Sequence, residues 1–462
     1  MTRRRLLVAV VIVLIPVAGH AIWDQVEATL LAREIARIAQ RREPVDVASR
    51  RSALPTAEQR DAARIYAAAA DLAAAKFRDD PKLYNRDDDL EAAFASGRPA
   101  ETLDDLRRRY IEREPAFGLL AQASTLDFAG FGPAGPELYD NASPLVGLSD
   151  LNSLRGDILT AHGDARGSAE ALMQSVRLQR TIALEFYRYL AARRWYGSLR
   201  LLLRYAPPDE DTLLRLQHAF EELPDADSLV GQLRTQRAEL LGDFWPYPAD
   251  TAVWAFRGRV FNRDISSLPF AVVRPLLTRV VRHQLRPFEE AIEAAGRPWP
   301  ARLDATDLLE QRYASPALPR PAQRTWLQRA FAVFPPALGV GALKSYLPLA
   351  GLNLAMRRTS VAALAVERFR RGHAGEAPAT LSALVPEYLT AVPLDPFSGH
   401  PLSYRRTAVS YVIYSIGQNR ADDGGGLQGL GSQTEERRAN EGPYNGGDVG
   451  IRMPLKSVAS SQ

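Results

Sequence analysis

The sequence has no cysteine among its 462 residues, and it contains only four lysines, four methionines and six histidines. The missing thiols exclude disulfide frameworks, thiolate zinc sites, iron–sulfur clusters and a cysteine nucleophile. Arginine supplies nearly all of the basic charge, but 54 acidic residues balance the 58 basic ones. Because this balance lacks the basic excess of a nucleic-acid-binding protein, we expect no nucleic acid partner.

Familiar catalytic signatures are missing as well. No two histidines lie at metal-ligand spacing, and neither an H-E-x-x-H zinc motif nor a G-x-S-x-G serine elbow occurs. The segment Gly339–Ser345 approaches a phosphate-binding loop, but Leu343 stands where that loop needs a glycine before Lys344. These absences favour a non-enzymatic protein. The alternative is a periplasmic or secreted enzyme whose site in the helical domain has no recognisable motif.

The clearest signal in the chain is its N-terminal segment. Three arginines, Arg3–Arg5, precede an apolar run from Leu6 to Ala18 that extends to Trp23. The stretch of about 18 residues reaches the lower limit of a membrane span, and basic residues before it favour an N-terminus in the cytoplasm. A cleaved signal peptide ending at Ala21 is the competing interpretation. We favour a retained anchor over residues 1–23, in the bacterial cytoplasmic membrane, with the bulk of the chain in the periplasm.

A long helical region follows the N-terminal segment. Residues 24–356 are rich in Ala, Leu, Arg and Glu, with prolines spaced as breaks between helices of ordinary length. Asp209 and Asp211 predict N-terminal caps for a helix over Thr212–Leu223. Around Gly163-Asp164 the pattern is similar to half of a tetratricopeptide-type hairpin, but no second copy follows at a fixed period. The region is therefore predicted to be a helical bundle or a repeat-like domain.

The texture of the sequence changes near Ala377, so residues 357–462 are predicted to form a separate α+β module. A helix over Thr359–Arg371 is followed by a short helix, and a turn is predicted over Asp395–Gly399. Alternation over Val409–Ile416 predicts a strand that pairs with Leu402–Arg406. An acidic, glycine-rich loop begins after this strand. The fold class expected for the whole chain is mainly α, with an N-terminal membrane helix.

Three motifs occur in order within this module. They are L-x-x-L-V-P over Leu381–Pro386, P-x-D-P-F-x-G-x-P-x-x-Y over Pro393–Tyr404, and Y-S-x-G over Tyr414–Gly417. With the acidic loop, the series resembles the globular end of the major type II secretion pseudopilin. The resemblance covers Thr359–Leu455, about a fifth of the chain. The layout of the whole chain also resembles a group of uncharacterised bacterial envelope proteins that carry no established activity.

The resemblance implies a calcium site in the acidic loop. The matching positions are Ser415, Asn419, Asp422, Asp423 and Asp448. Calcium takes six to eight oxygen ligands, which carboxylates, amides and backbone carbonyls can supply. The alternative is a solvated glycine-rich loop without metal, because an insertion over residues 427–444 separates the two acidic halves.

The chain also departs from the pseudopilin pattern. The apolar run Leu6–Ala18 contains no glutamate and no Gly–Phe cleavage site, and the helical region separates it from the C-terminal module. Assembly into a pseudopilus is therefore not implied. We expect a membrane-anchored periplasmic scaffold or protein-interaction protein with an envelope partner, linked to a secretion or pilus-like assembly.

Overall fold

The computed structural model describes residues 3–46, 56–79, 115–126, 137–182, 184–223, 229–242, 270–314, 338–425 and 447–455. Within these residues the protein is mainly helical, as the sequence predicts. A small antiparallel sheet near the C-terminus contains the two predicted strands and a third that was not predicted. The helices are α1 (Arg3–Gln40), α2 (Ala57–Asp79), α3 (Pro115–Ser124), α4 (Glu137–Ala161), α5 (Ala165–Gln179), α6 (Glu185–Tyr205), α7 (Glu210–Glu221), α8 (Leu229–Gly242), α9 (Phe270–Ala295), α10 (Ala301–Tyr313) and α11 (Leu338–Gly372). The strands are β1 (Ser403–Arg406), β2 (Ser410–Ser415) and β3 (Val449–Pro454).

The chain divides into two compact units built from separated stretches of sequence. The first comprises residues 1–52, 229–297 and 301–345, and the second comprises residues 53–228, 298–300 and 346–462. The first unit thus joins α1 to α8, α9 and α10. The second unit contains the six helices α2 through α7, the C-terminal part of α11 and the sheet. The C-terminal module therefore shares a unit with most of the helical region.

In the first unit, the second half of α1 packs against α9. Leu31 and Ile38 of α1 are buried in one cluster with Leu241, Val281 and Leu285. In the sequence, Leu31, Ile35 and Ile38 recur at helical spacing, which predicts an amphipathic helix but not the helix that covers its apolar face. Among residues with described side chains, no helix is both long and apolar enough to cross a membrane. The side chains of residues 1–13, which carry most of the predicted anchor's apolar run, lie outside that description.

In the second unit, the predicted hairpin around Gly163 is confirmed. Helices α4 and α5 pack together, and Gly163 adopts a φ of 77°, which favours glycine because it has no Cβ. The Asp164 carboxylate caps α5 by accepting a hydrogen bond from the Gly167 amide at 2.9 Å. Asn152 fixes the pair of helices, since its side chain donates to the Ala171 carbonyl at 2.6 Å.

The predicted caps of the next helical pair are confirmed in one case and wrong in the other. Asp209 caps α7, because its carboxylate accepts from the Thr212 amide at 2.8 Å. Asp211 lies inside the first turn of α7 and forms an ion pair with Arg215 at 3.2 Å. One side chain is enough to cap the N-terminus of the helix, and the second acidic residue lies on its exposed surface.

The C-terminal sheet has the order β1-β2-β3, and its two predicted strands are confirmed to within one residue at each end. Tyr404 of β1 pairs with Ile413 of β2, which pairs with Ile451 of β3 on its other side. The helix before the sheet begins at Leu338, well before the predicted start at Thr359. It continues through Pro348 because burial of the surrounding leucines compensates for the lost backbone hydrogen bond.

Candidate functional site

The predicted calcium loop begins where β2 ends, and there Asp395 acts as a buried hydrogen-bond hub. The Ser415 hydroxyl donates to Asp395 Oδ1 at 2.6 Å, and the Ile416 amide donates to Oδ2 at 2.9 Å. The amide of Phe397 and the hydroxyl of Ser398 also donate to this carboxylate, at 2.9 and 3.2 Å. Ser415 therefore faces the Asp395 turn, and its hydroxyl hydrogen is already engaged.

The other four predicted ligands lie in the loop itself and in the approach to β3. The side-chain amide of Asn419 donates to Asp423 Oδ2 at 2.9 Å. Asp448 joins the two halves of the loop, because its carboxylate accepts from the Gly425 amide at 2.6 Å and the Asp423 amide at 3.3 Å. Asp422 accepts from the Gly424 amide at 2.8 Å. The structure thus brings Asn419, Asp422, Asp423 and Asp448 into one loop, with Ser415 turned to Asp395.

Charge in this loop is unevenly distributed among the carboxylates. Burial raises the pKa of Asp448, and the negative charges of Asp422 and Asp423 raise it further. The two backbone hydrogen bonds that Asp448 accepts lower the pKa but do not outweigh these effects. The Gly424 amide, the Tyr414 hydroxyl and the positive charge of Arg405 together lower the pKa of Asp422. A divalent cation would relieve the repulsion at Asp448, which is the electrostatic basis for expecting metal here.

The coordination geometry does not by itself mark a metal centre. Among the described residues, no group of three or more histidine or carboxylate side chains is arranged to hold a metal ion. Residues 426–446, between the two acidic halves, lie outside the described residues, so calcium stays a prediction. Sequence reasoning assigned Asp395 only to a turn. Its role as a hub was missed because Ser415 and Ile416, which donate hydrogen bonds to it, are 20 and 21 positions away.

A second candidate site lies where α1 leaves its apolar run. Leu14, Ile15, Val17 and Ile22 are each more than half exposed, which is unusual for large apolar residues that follow one another on a helix. Trp23 follows, and its indole Nε1 donates to Glu27 Oε1 at 3.4 Å; Val26, in the next turn, is still 48% exposed.

Beyond Trp23, ion pairs fasten α1 to α9. Asp24 lies 2.6 Å from Arg274, and Glu27 lies 3.1 Å from Arg282 and 4.0 Å from Arg279. Glu27 is buried despite its charge, and the arginines that surround it are far away in sequence. From Asp24 onward, one face of the same helix is therefore ion-paired and packed, while Val26 on another face stays exposed.

Comparison with protein-family models, curated proteins and solved structures finds no match for this chain.

Proposed function

We propose that this chain is a membrane-anchored scaffold protein of the bacterial cytoplasmic membrane. Its N-terminus would lie in the cytoplasm, and the residues after Trp23 would lie in the periplasm and bind an envelope partner. The observation that carries the proposal is the continuity of α1, one helix from Arg3 to Gln40. Its first half is apolar in sequence, and the exposed side chains of Leu14, Ile15, Val17 and Ile22 are suited to lipid. Its second half contributes Leu31 and Ile38 to the core of the first unit.

The continuity of α1 favours a retained anchor over a signal peptide. Cleavage after Ala21 would break α1 between Ala21 and Ile22, two residues before Asp24 pairs with Arg274 of α9. The new N-terminus would carry a positive charge beside the Asp24–Arg274 pair, at the positive end of the shortened helix's dipole. An uncut helix avoids this arrangement and holds the first unit directly against the bilayer.

Membrane extraction of the full chain tests the anchor. We expect the intact mass, including residues 1–21, in a fraction that resists alkaline carbonate. Ile15→Arg places a charge within the span, which costs about 3 kcal/mol at a helix centre, and should release protein into the soluble fraction. Leu308→Arg is the matched control, because Leu308 is 61% exposed and Ile15 is 66% exposed. A mature protein lacking residues 1–21, or equal retention of both variants, would contradict the proposal.

The C-terminal module is the proposed partner-binding surface. The turn between β1 and β2 presents Val409, which is 62% exposed although it is apolar. A photo-crosslinking residue at Val409 should yield one discrete adduct in the envelope fraction. The same residue at Leu308, with almost the same exposure, should not. Adducts that are absent or identical at the two positions would speak against a partner at this module.

A periplasmic enzyme is the second candidate, and Asp150 of α4 is the observation that favours it. Burial raises the pKa of Asp150 to about 8, although the positive charge of Arg193 acts against the shift. Arg194 Nε lies 3.2 Å from Asp150 Oδ1 without forming a hydrogen bond. A carboxyl that titrates near neutral pH can exchange a proton with a substrate. Hydrolysis of a model ester or amide by the wild type but not by Asp150→Asn would support the enzyme; equal rates would exclude this role for Asp150.

A further inference from the structure

Helix α9 runs beside the second half of α1 in the same direction. Asp24 pairs with Arg274 near the start of the contact, and Arg41 lies 2.5 Å from Glu289 near its end. Because both residue numbers increase together, the first turns of α9 lie level with the part of α1 that follows Trp23. This is the part of the first unit nearest to the proposed membrane surface.

The level of each α9 arginine follows from helix geometry. A helix rises about 1.5 Å per residue, so Arg279 lies about 8 Å and Arg282 about 12 Å beyond Arg274 along the axis. The polar headgroup layer on each side of a bilayer is roughly 5–8 Å thick. With Trp23 at the edge of the hydrocarbon, Arg274 and Arg279 fall within or just outside the headgroup layer.

The charges at this level do not balance. Glu27 faces both Arg279 and Arg282, and Arg282 is the closer, at 3.1 Å against 4.0 Å. In the part of the chain that the structure describes, Glu27 is the one acidic group within ion-pair distance of Arg279. The Arg279 side chain is also 54% exposed, so a guanidinium with available N–H groups projects toward solvent. Two arginines thus share one carboxylate, leaving a single excess positive charge.

We propose that Arg279, assisted by Arg274 and Arg282, binds the phosphate of an anionic phospholipid in the periplasmic leaflet. The inference rests on the proposed membrane anchoring of α1. A guanidinium offers several N–H donors in a plane and matches two phosphate oxygens at once. An exposed arginine near an anionic membrane surface contributes about 1 kcal/mol, which corresponds to roughly fivefold in lipid affinity.

Full-length protein in nanodiscs tests the inference. The discs contain phosphatidylcholine alone or phosphatidylcholine mixed with phosphatidylglycerol, and the readout is the melting temperature of the protein. A lipid that binds only the folded state must raise this temperature. We expect a higher value in the mixed discs for the wild type, and most of that difference should disappear in Arg279→Gln. Arg297→Gln is the matched control, since Arg297 is 48% exposed and lies just past the far end of α9.

The outcomes separate this inference from the anchor itself. If Arg279→Gln enters the discs but keeps the full wild-type difference, the lipid site is overturned and the anchor stands. The same holds if the wild type shows no dependence on phosphatidylglycerol. Stabilisation by added glycerol 3-phosphate in phosphatidylcholine discs would identify a soluble anion site and overturn the lipid assignment. Failure of the wild type to enter discs would overturn both proposals.

Discussion

Replacing Arg237 with methionine tests which interactions hold the C-terminal end of α1 against α8 and α9 within the first unit. Arg237 of α8 is completely buried, and its guanidinium lies between Glu43, just after α1, and Glu289 of α9. It donates to Glu43 Oε2 at 2.7 Å and also to Glu289 Oε1. Methionine fills a similar volume without charge, so the substitution removes the pairing and preserves the packing.

The magnitude follows from what the two carboxylates retain. Breaking a buried ion pair by removing one partner costs about 3–5 kcal/mol, because a charge is left uncompensated. Here Glu43 keeps Arg234 at 3.3 Å and Arg41 at 3.6 Å, while Glu289 keeps Arg41 at 2.5 Å. We therefore expect the lower end of that range, about 3 kcal/mol. Arg234→Met is the control: its side chain is 40% exposed, and an exposed pair contributes about 1 kcal/mol or less.

Amide hydrogen exchange in α8 and α9 measures this difference locally, which matters because a chain of two units need not unfold in a single step. A loss of about 3 kcal/mol corresponds to exchange that is faster by roughly 100-fold. The triple variant Arg237→Met, Glu43→Gln, Glu289→Gln should recover most of the protection, since no buried charge is then left alone; Arg41 and Arg234 lose these carboxylates, but their side chains are 49% and 40% exposed and remain hydrated. Equal exchange in the Arg237 and Arg234 variants would refute the reasoning.

The pH dependence of the same experiment has a defined sign. Burial raises the pKa of Glu43, but the hydrogen bond from Arg237 and the charges of Arg237, Arg234 and Arg41 outweigh it, so the pKa is lower than its usual 4.5. A lowered carboxyl pKa stabilises the folded state above the unfolded pKa, and this contribution is lost as the pH falls through the folded value. The gap between wild type and Arg237→Met should therefore be widest near neutral pH and narrow below about 4.5.

Three further predictions concern the second unit. Because the pKa of Asp150 is raised to about 8, its contribution to the stability of the folded state falls as the pH rises from about 4 to 8. The melting temperature of Asp150→Asn minus that of the wild type should therefore be larger at pH 8 than at pH 5, and a constant difference would contradict this. Asp395→Asn should cost about 2 kcal/mol, measured by exchange in β2, whereas the exposed Asp422→Asn should cost less than half of that. If calcium binds the loop, excess calcium should raise the melting temperature of the wild type but not of Asp448→Asn, and no effect of chelation would sink the calcium site.

The parts of the fold that local pattern controls were predictable. Strand β2 follows from alternation over Val409–Ile416, and the α4–α5 turn follows from Gly163 and Asp164. Strand β3 was missed because it carries Gly450 and pairs with β2 across a long insertion. A Cβ at Gly450 would lie 2.2 Å from the Ile413 carbonyl oxygen. Glycine is thus required by close approach of the neighbouring strand, although by propensity it argues against a strand.

The candidate sites were predictable in residue type more than in geometry. The acidic residues of the C-terminal loop do lie together, but the side chain of Ser415 points to Asp395 at the end of a strand that is buried on both faces. The ion pairs of Glu27 with Arg279 and Arg282 join residues more than 250 positions apart. Periodicity assigns such residues to a helix but does not select the partner among many arginines, since that choice depends on how the helices pack.

The C-terminal loop is organised by the chain's own hydrogen-bond donors, which limits what a cation has to do. In a loop that folds only around calcium, the carboxylates lack partners until the ion arrives. Here the Asp448 carboxylate already accepts from the Gly425 and Asp423 amides, and Asp395 accepts from four donors. Carboxylate oxygens retain further lone pairs, so the same carboxylates can accept these hydrogen bonds and also bind a cation. Calcium would therefore tighten residues 419–425 and relieve the charge on Asp448, while the pairing of β2 with β3 should persist without it.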